Sequence, residues 1–562
     1  MLITDEQLKA LIINTGITDQ KGYEKIEKYA QNADISVNDA LVDRDVISDE
    51  NLGLLIADYL KFPFVVLTKK NIPGEVFHII PEKLARKQKL IPFEQGANGV
   101  KVAMADPSSK EVQETISKKI GMPVIPYLAT EQDIYNTLRI YRKNLQASFD
   151  DMLKKELGAG IDILTSRNIP IAKLVDLLIN YAYQDKASDI HIEPEEKYSL
   201  VRLRIDGILQ DVLFLPKSLH DQIVTRIKIL SRLRTDEHQS PQDGKMRIVL
   251  DKEEIDVRVS ILPIADGEKV VLRLLTSRFG KFSLVDLGMN ESDLQKVNNA
   301  YGKSYGMILS TGPTGSGKTT SIYAILKILN TREKNITTIE DPVEYRIKGV
   351  NQINVNPKTN LTFAIGLRSI LRQDPNIIFV GEIRDSDTAS IAVNASLTGH
   401  LVLSTLHTND AATALPRLID MNVEPFLVAS TVNVIVAQRL VRKICEICKA
   451  TRTITEEELV KNFSKEIVKK HFGNRQEFII YQGNGCKICH ATGYAGRIGV
   501  FEVLEVSRSI RELIVRRNDS DVIAAKAIEE GMTTMLDDGL DKVVKSLTTI
   551  EEVLRVTRTE SA

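Results

Sequence analysis

The chain opens on helical spacing: Leu8, Leu11 and Ile12 follow Thr4, whose hydroxyl can cap a helix while Gln7 reaches back. Residues 62–67 read as a strand, and residues 99–105, where Val100, Val102 and Met104 alternate, read as another. Helical patterns over 109–120 and 131–141 complete a mixed α/β module across residues 1–145. Periodicity then fades, and Gly158-Ala159-Gly160 adds three small residues in a row, so residues 146–167 are expected to be a flexible linker. Beyond Pro170, which a first helical turn tolerates, Leu174, Leu177, Leu178, Tyr181 and Ala182 form an apolar stripe. Six strand patterns follow, at 189–193, 199–205, 209–214, 245–250, 254–261 and 270–274, giving a second α/β module over 168–280. From Gly306 onward short apolar strands alternate with helices, the pattern of a parallel sheet covered on both faces, and this α/β module fills 281–562.

Composition narrows the function classes. Lys plus Arg number 74 against 75 Asp plus Glu in 562 residues, a formal charge of -1 without the basic excess of wholesale phosphate-backbone binding, so nucleic acid is not an expected partner. Hydrophobic residues are 43% and charged residues 27%, an ordinary globular mixture. No apolar run approaches the 18 or so residues of a bilayer span, and the N-terminus lacks the charged cap and apolar block of a secretory signal. A cytoplasmic protein is expected.

The chemistry concentrates in the third module. Gly312-Pro313-Thr314-Gly315-Ser316-Gly317-Lys318-Thr319 matches G-x-x-x-x-G-K-[ST], between the apolar run 307–309 and a helical stretch that starts near Thr320. Glycines let backbone N–H groups turn toward phosphates, Lys318 can reach the terminal phosphates, and Thr319 offers a hydroxyl to Mg²⁺. Hydrolysis also needs a group that orients water near the γ-phosphate. Glu382 ends the apolar run 377–380, where ligands of a doubly wound sheet sit, and is the first candidate. Glu340 and Asp341, after the run 336–339, could hold Mg²⁺ through water or simply form a polar turn before Pro342. His407 follows a strand that begins after His400, and it could meet a phosphate oxygen or the attacking water, or equally satisfy a loop carbonyl.

All four cysteines form two knuckles, Cys445-x-x-Cys448 and Cys486-x-x-Cys489, separated by 37 residues. Four thiolates suit Zn²⁺ in a closed structural site, a tetracysteine insertion over 440–495. The separation exceeds the common ribbon spacing, but closure entropy grows only with the logarithm of loop length. His471 and His490 lie nearby as substitute ligands, and reduced thiols or a redox pair are the alternative.

The stretches 312–320, 338–344, 380–385 and 398–410, in this order and spacing, resemble the Walker A, Asp box, atypical Walker B and His box of the secretion-ATPase superfamily. Ala187-Ser188-Asp189-Ile190-His191-Ile192-Glu193-Pro194, the run 202–207, Pro241-Gln242-Asp243-Gly244 and Gly267-Glu268 extend the likeness to its pilus-assembly and type II secretion branches. The resemblance implies a RecA-like P-loop motor domain, a PAS-like second domain, and an N-terminal domain that docks on membrane-platform partners. It implies ATP and ADP with Mg²⁺ as ligands, Glu382 as catalytic glutamate, Glu340 and Asp341 as helpers, and His407 as a link from nucleotide to motor. It further implies a homohexamer at the inner-membrane face, reaching the membrane only through an inner-membrane platform protein and its cytoplasmic assembly components. In such rings an arginine of the second module can reach a neighbour's γ-phosphate, and Arg202, Arg204, Arg258 and Arg273 are the candidates, with surface ion pairs as their other use. The cysteine knuckles accompany the extension and export motors of the superfamily. Pilus assembly is therefore the expected function, with type II secretion and, from another class, a nucleic-acid ring translocase as alternatives. The R-L-G-x-x-L stretches of members that bind cyclic di-GMP are incomplete here: residues 35–41 lack the Arg and Gly, and residues 51–56 lack the Arg. Protein docking is the expectation for that domain.

Overall fold

The computed structural model describes residues 3–33, 36–44, 46–70, 72–138, 149–150, 170–250, 253–275, 283–486 and 488–557. The linker expected at 146–167 lies almost wholly outside them. Packing groups the chain into two units, Met1–Phe64 with Arg278–Ala562, and Val65–Ser277. Among the described residues no helix is long and apolar enough to cross a membrane.

The unit Val65–Ser277 holds two sheets. The first is β1 (Leu90–Gly96), β2 (Gly99–Met104) and β3 (Val124–Leu128), in that spatial order, with β1 antiparallel and β3 parallel to β2. Residues 62–67, expected as a strand, do not form one. Val65 donates a single bond to the Leu128 carbonyl at 3.0 Å, and the chain then tightens into the 3₁₀ turn Leu67–Lys69. The second sheet contains β4 (Asp189–Pro194), β5 (Tyr198–Ile205), β6 (Ile208–Pro216), β7 (Gln242–Leu250), β8 (Glu253–Ile264) and β9 (Gly267–Leu275), antiparallel in the order β6-β5-β4-β9-β8-β7. Alternation divides its faces. Ile190, Ile192, Val201, Leu203, Val257, Val259 and Leu272 are buried with residues of the helices Ile171–Gln184 and His220–Leu230. Asp189, His191, Glu193, Arg202, Arg204 and Arg273 fall on the other face. The Gly267-Glu268 motif has a structural use here, because Glu268 faces the wholly buried Lys228 at 2.7 Å and His238 at 2.8 Å.

The motor sheet is built from β10 (Gly306–Thr311), β11 (Ile336–Glu340), β12 (Asn351–Asn354), β13 (Ile377–Val380), β14 (Leu401–Leu406) and β15 (Val432–Ile444). Between β15 and the last strand of the sheet stands a ribbon, β16 (Lys449–Thr455) paired antiparallel to β17 (Glu477–Gly483). With β18 (Tyr494–Glu505) the spatial order is β12-β11-β13-β14-β10-β15-β18. All pairs are parallel except β15 with β18. Strands β10, β11, β13 and β14 are buried at every position, as near-continuous Ile, Leu, Val and Phe runs require when helices cover both faces. Parallel pairing also puts the C-terminal ends of β10, β11, β13 and β14 on one edge.

The helix Ile550–Thr557 closes the domain through a buried ion network. Glu552 accepts from the Arg442 backbone at 2.9 Å, from the Arg442 guanidinium at 2.7 Å and from Arg555 at 2.8 Å. Burial opposes the charge, but the Arg555 and Arg442 guanidiniums outweigh it and hold Glu552 down to about 2. A depressed folded value stabilises above the unfolded value, near 4.5, and that stability is lost as pH falls toward 2. The full difference corresponds to about 3 kcal/mol. Denaturant titrations of the wild type between pH 6 and pH 3 should show this slope, and Glu552→Gln should flatten it.

Candidate nucleotide site and cysteine cluster

The turn from β10 into the helix Lys318–Leu329 is shaped by two glycines, Gly312 and Gly317, with no room for a side chain. Gly312 has φ +142°, and a Cβ there would meet the Gln438 carbonyl at 2.6 Å; at Gly317, φ +93°, it would meet the Gln438 amide at 2.9 Å. Gln438 is buried on β15, donates to the Ser316 carbonyl at 2.8 Å and accepts from the Ser310 hydroxyl at 3.5 Å. It props the loop from below. Lys318 is buried and donates to the Gly312 carbonyl at 2.8 Å and the Pro313 carbonyl at 3.1 Å. Burial pushes its ammonium down to about 8, opposed by the charge of Glu382. An entering phosphate would push it back up and strengthen the charged form, because a nearby anion favours it. Pro313, Thr314 and Gly315 form the exposed crown of the loop, and Thr319 and Thr320 open the helix beside Lys318.

Glu382 stands two residues past β13, on the same sheet edge as the loop, with β14 between β13 and β10. Its backbone is tightly fixed. Ser404 donates to the Val380 carbonyl at 2.8 Å, Thr405 to the Gly381 carbonyl at 2.7 Å, and the Ile383 amide to the Thr405 carbonyl at 3.0 Å. One carboxylate oxygen meets Arg384 at 2.8 Å and the other meets the ring nitrogen Nε2 of His407 at 3.3 Å. His400, at the start of β14, lies at the opposite edge with its ring against the Ala395 carbonyl. Asn376 is also at that edge, accepting from the Asn335 amide at 2.7 Å. Asp385 caps the helix Ser386–Leu397.

Glu340 and Asp341 sit at the end of β11, next to β13. Glu340 is 2% exposed and faces inward to Tyr323, Thr338 and Gln352, whereas Asp341 is exposed. Three of the four candidate arginines of the second sheet pair with acids. Arg202 pairs with Glu193 at 2.6 Å, while Arg204 at 3.5 Å and Arg273 at 2.9 Å share Asp189. Arg258 lies opposite Arg273 on β8. The acidic residues of the motif 187–194 are thus the counter-ions of the arginine row.

The cysteine knuckles come together although the chain between them is long. That interval is not a loop: β16 and β17 pair over their whole length, Lys449 opposite Gly483, and so return Cys486 to Cys448. Helices Glu456–Val460 and Lys465–Phe472 fill the ribbon's tip, and Leu459, Phe463, Val468 and Phe478 join a core with Leu540 and Val553. All four sulfurs lie within 4.8 Å of one another, with Cys445 to Cys486 and Cys448 to Cys489 at 3.8 Å and Cys486 to Cys489 at 3.6 Å. A tetrahedron with metal–sulfur bonds of about 2.3 Å has edges of about 3.8 Å, so the set fits Zn²⁺. The Cys445 thiol and the Cys486 and Gly493 backbone amides donate to Cys489 and hold it down to about 4. Neither histidine belongs to the cluster: His471 instead bridges Asp537 and Asp541, at 2.7 and 2.9 Å.

The family model for type II/IV secretion system proteins matches residues 165–555. The chain belongs to that family. A second model, the MshEN domain, matches residues 60–146. This secretion-system ATPase is 35% identical to the type IV pilus assembly ATPase PilB of Myxococcus xanthus over 560 residues, 98% of each chain. It is 39% identical to the type II secretion system protein E of Dickeya dadantii over 505 residues, 87% of this chain and 99% of that one. The X-ray structure of the Legionella pneumophila ATPase DotB superposes with a TM-score of 0.51 at 20% identity, covering 70% of this chain and 96% of that chain, a likeness of fold. The motor domain is RecA-like, and the chain is a P-loop ATPase of the secretion and pilus motor class.

For this secretion-system ATPase, sequence motifs missed three groups at the site. Gln438 and Arg439 come from a strand whose 13 residues follow no nucleotide motif, and only the parallel pairing of β15 with β10 brings them under the loop. Arg439 donates to the Asn409 carbonyl at 3.1 Å and shares the field of Lys318. Tyr323 was hidden as one more apolar position on a buried helix.

Proposed function

We propose that the chain is the motor of type IV pilus assembly, working as a homohexamer on the cytoplasmic face of the inner membrane through a platform protein. The likeness to the Myxococcus pilus assembly ATPase carries this reading, because it runs the length of both chains, N-terminal region included. Type II secretion is the second reading, favoured by the higher identity to protein E.

In the proposed cycle Lys318 exchanges its loop carbonyls for the terminal phosphates, and the backbone N–H groups of 312–319 cradle them. Mg²⁺, bound with the nucleotide and held by the Thr319 hydroxyl, would neutralise phosphate charge. Glu382 orients or deprotonates water, Glu340 and Asp341 assist, and His407 ties the Glu382 carboxylate to the end of β14. Arg202, Arg204 or Arg273 serves a neighbouring subunit's γ-phosphate by leaving its Glu193 or Asp189 partner, since a phosphate competes with a carboxylate for the same guanidinium, and Arg258, opposite Arg273, is the fourth candidate. Cys445, Cys448, Cys486 and Cys489 hold a structural Zn²⁺.

Deleting the gene in its own host should abolish surface pili while cell-associated pilin and exoprotein export persist. Lost export with intact pili would replace pilus assembly by type II secretion. Purified protein should run at six times the 62.8 kDa chain mass with ATP, and its turnover should not respond to added DNA or RNA.

A further inference from the structure

Glu340 is held by donors from three elements. Tyr323, on the helix that begins with Lys318, donates its hydroxyl to Oε2. The Thr338 hydroxyl donates to Oε1 at 2.5 Å, and the Gln352 amide of β12 reaches the same oxygen at 3.3 Å. That amide also reaches the Tyr323 hydroxyl at 3.3 Å and the Tyr345 carbonyl at 3.2 Å, while the Gln352 carbonyl accepts from the Ile347 amide at 2.8 Å. The Tyr345 ring packs edge-on to Tyr323 with centroids 4.6 Å apart. Among the described residues no cation pairs with Glu340, and the charged group acting on it is Glu344, of the same sign.

A buried carboxylate without a cation keeps its charge only through hydrogen-bond donors. Burial pushes Glu340 up, and its bonds from Thr338, Tyr323 and Gln352 oppose that rise. Burial and the Glu340 charge also push the Tyr323 phenol far up, so it retains its proton and serves as donor. We infer that Tyr323 is a positioning residue for ATP hydrolysis, its hydroxyl fixing Glu340 as an ionised, oriented carboxylate and coupling the P-loop helix to the Asp box. The inference rests on the reading of Glu340 as an assisting group at the nucleotide. Tyr323 lies five residues after Lys318 on one helix, so a displacement of that helix by bound phosphate is felt at Glu340 without an intervening loop.

The test is the pH–rate profile of full-length Tyr323→Phe, Gln352→Met and Glu340→Gln proteins, each with binding of a fluorescent ATP analogue. Tyr323→Phe removes a donor to a charged group, so the acid limb of kcat should move up by about one to two pH units. Turnover at neutral pH should fall about tenfold and recover at alkaline pH, with analogue binding nearly unchanged. Gln352→Met should shift the limb in the same direction by less, and it carries the test if Tyr323→Phe does not fold. A profile lowered equally at every pH in the folded variant overturns the inference and leaves Tyr323 a packing residue. Glu340→Gln has no carboxyl to titrate: if it keeps turnover and the wild-type acid limb, the assisting role of Glu340 fails first, whatever Tyr323→Phe does.

Discussion

Glu382→Gln should cut ATP turnover by about a thousandfold while nucleotide affinity stays near the wild-type value. The substitution keeps the shape of the side chain and the backbone anchors from Ser404 and Thr405, so β13 and the loop remain in place. What disappears is the charge proposed to orient water, the same charge that acts on Lys318 across the sheet edge. Single-turnover hydrolysis with saturating ATP, set beside analogue binding, separates the two quantities. Turnover within a few-fold of wild type would move the water-orienting role away from Glu382, and Glu340 would then be the carboxylate to pursue. The pairs with Arg384 and His407 sharpen the comparison. A glutamine offers neither partner an anion, and losses in Arg384→Ala and His407→Ala that do not add to the loss in Glu382→Gln would show that they act through Glu382.

Legibility in the sequence tracked the range of the contacts involved. The P-loop is one local unit of strand, glycine turn and helix, and its residues appear where the motif puts them because a tight turn leaves few backbone choices. Strands β4 to β9 announced themselves by alternation, since one face is core and the other polar. Residues 62–67 carried the same apolar cue without a neighbour to pair along their length, and Pro63 removes one ladder donor. The polar strand β12 was invisible, being an edge strand whose residues are half exposed. The prop Gln438 could not be read at all, because its place under the loop depends on pairing between segments more than 120 residues apart. The arginine row was visible as strand positions, yet its binding to Asp189 and Glu193 needed the register between β4, β5 and β9.

Removing the metal from the cysteine cluster should detach the ribbon of β16 and β17 from the body of the motor. The wild type should carry one zinc per chain, and the double substitution Cys445→Ser with Cys489→Ser should carry none. Apparent binding free energies of structural zinc run to about 10–16 kcal/mol at neutral pH, so even a fraction of that loss exceeds the stability of a small lobe. The ribbon's own core is thin. Ile454, Phe478 and Ile480 bury one face, while Ile479 on the other remains 69% exposed, and the four-sulfur closure is what fixes the ribbon's base to β15 and β18. The helices Met535–Val544 and Ile550–Thr557, which share that core, should loosen with it. Limited proteolysis should therefore cut first within residues 449–485, and the melting temperature should fall. Nucleotide binding should survive, because Gln438 lies seven residues before Cys445, directly after the stretch of β15 that pairs with β10 and opposite Phe501 of β18. Wild-type protein that carries no zinc, and whose four thiols react freely in the native state, would remove the metal from this account and leave the knuckles as a packed cluster of reduced cysteines.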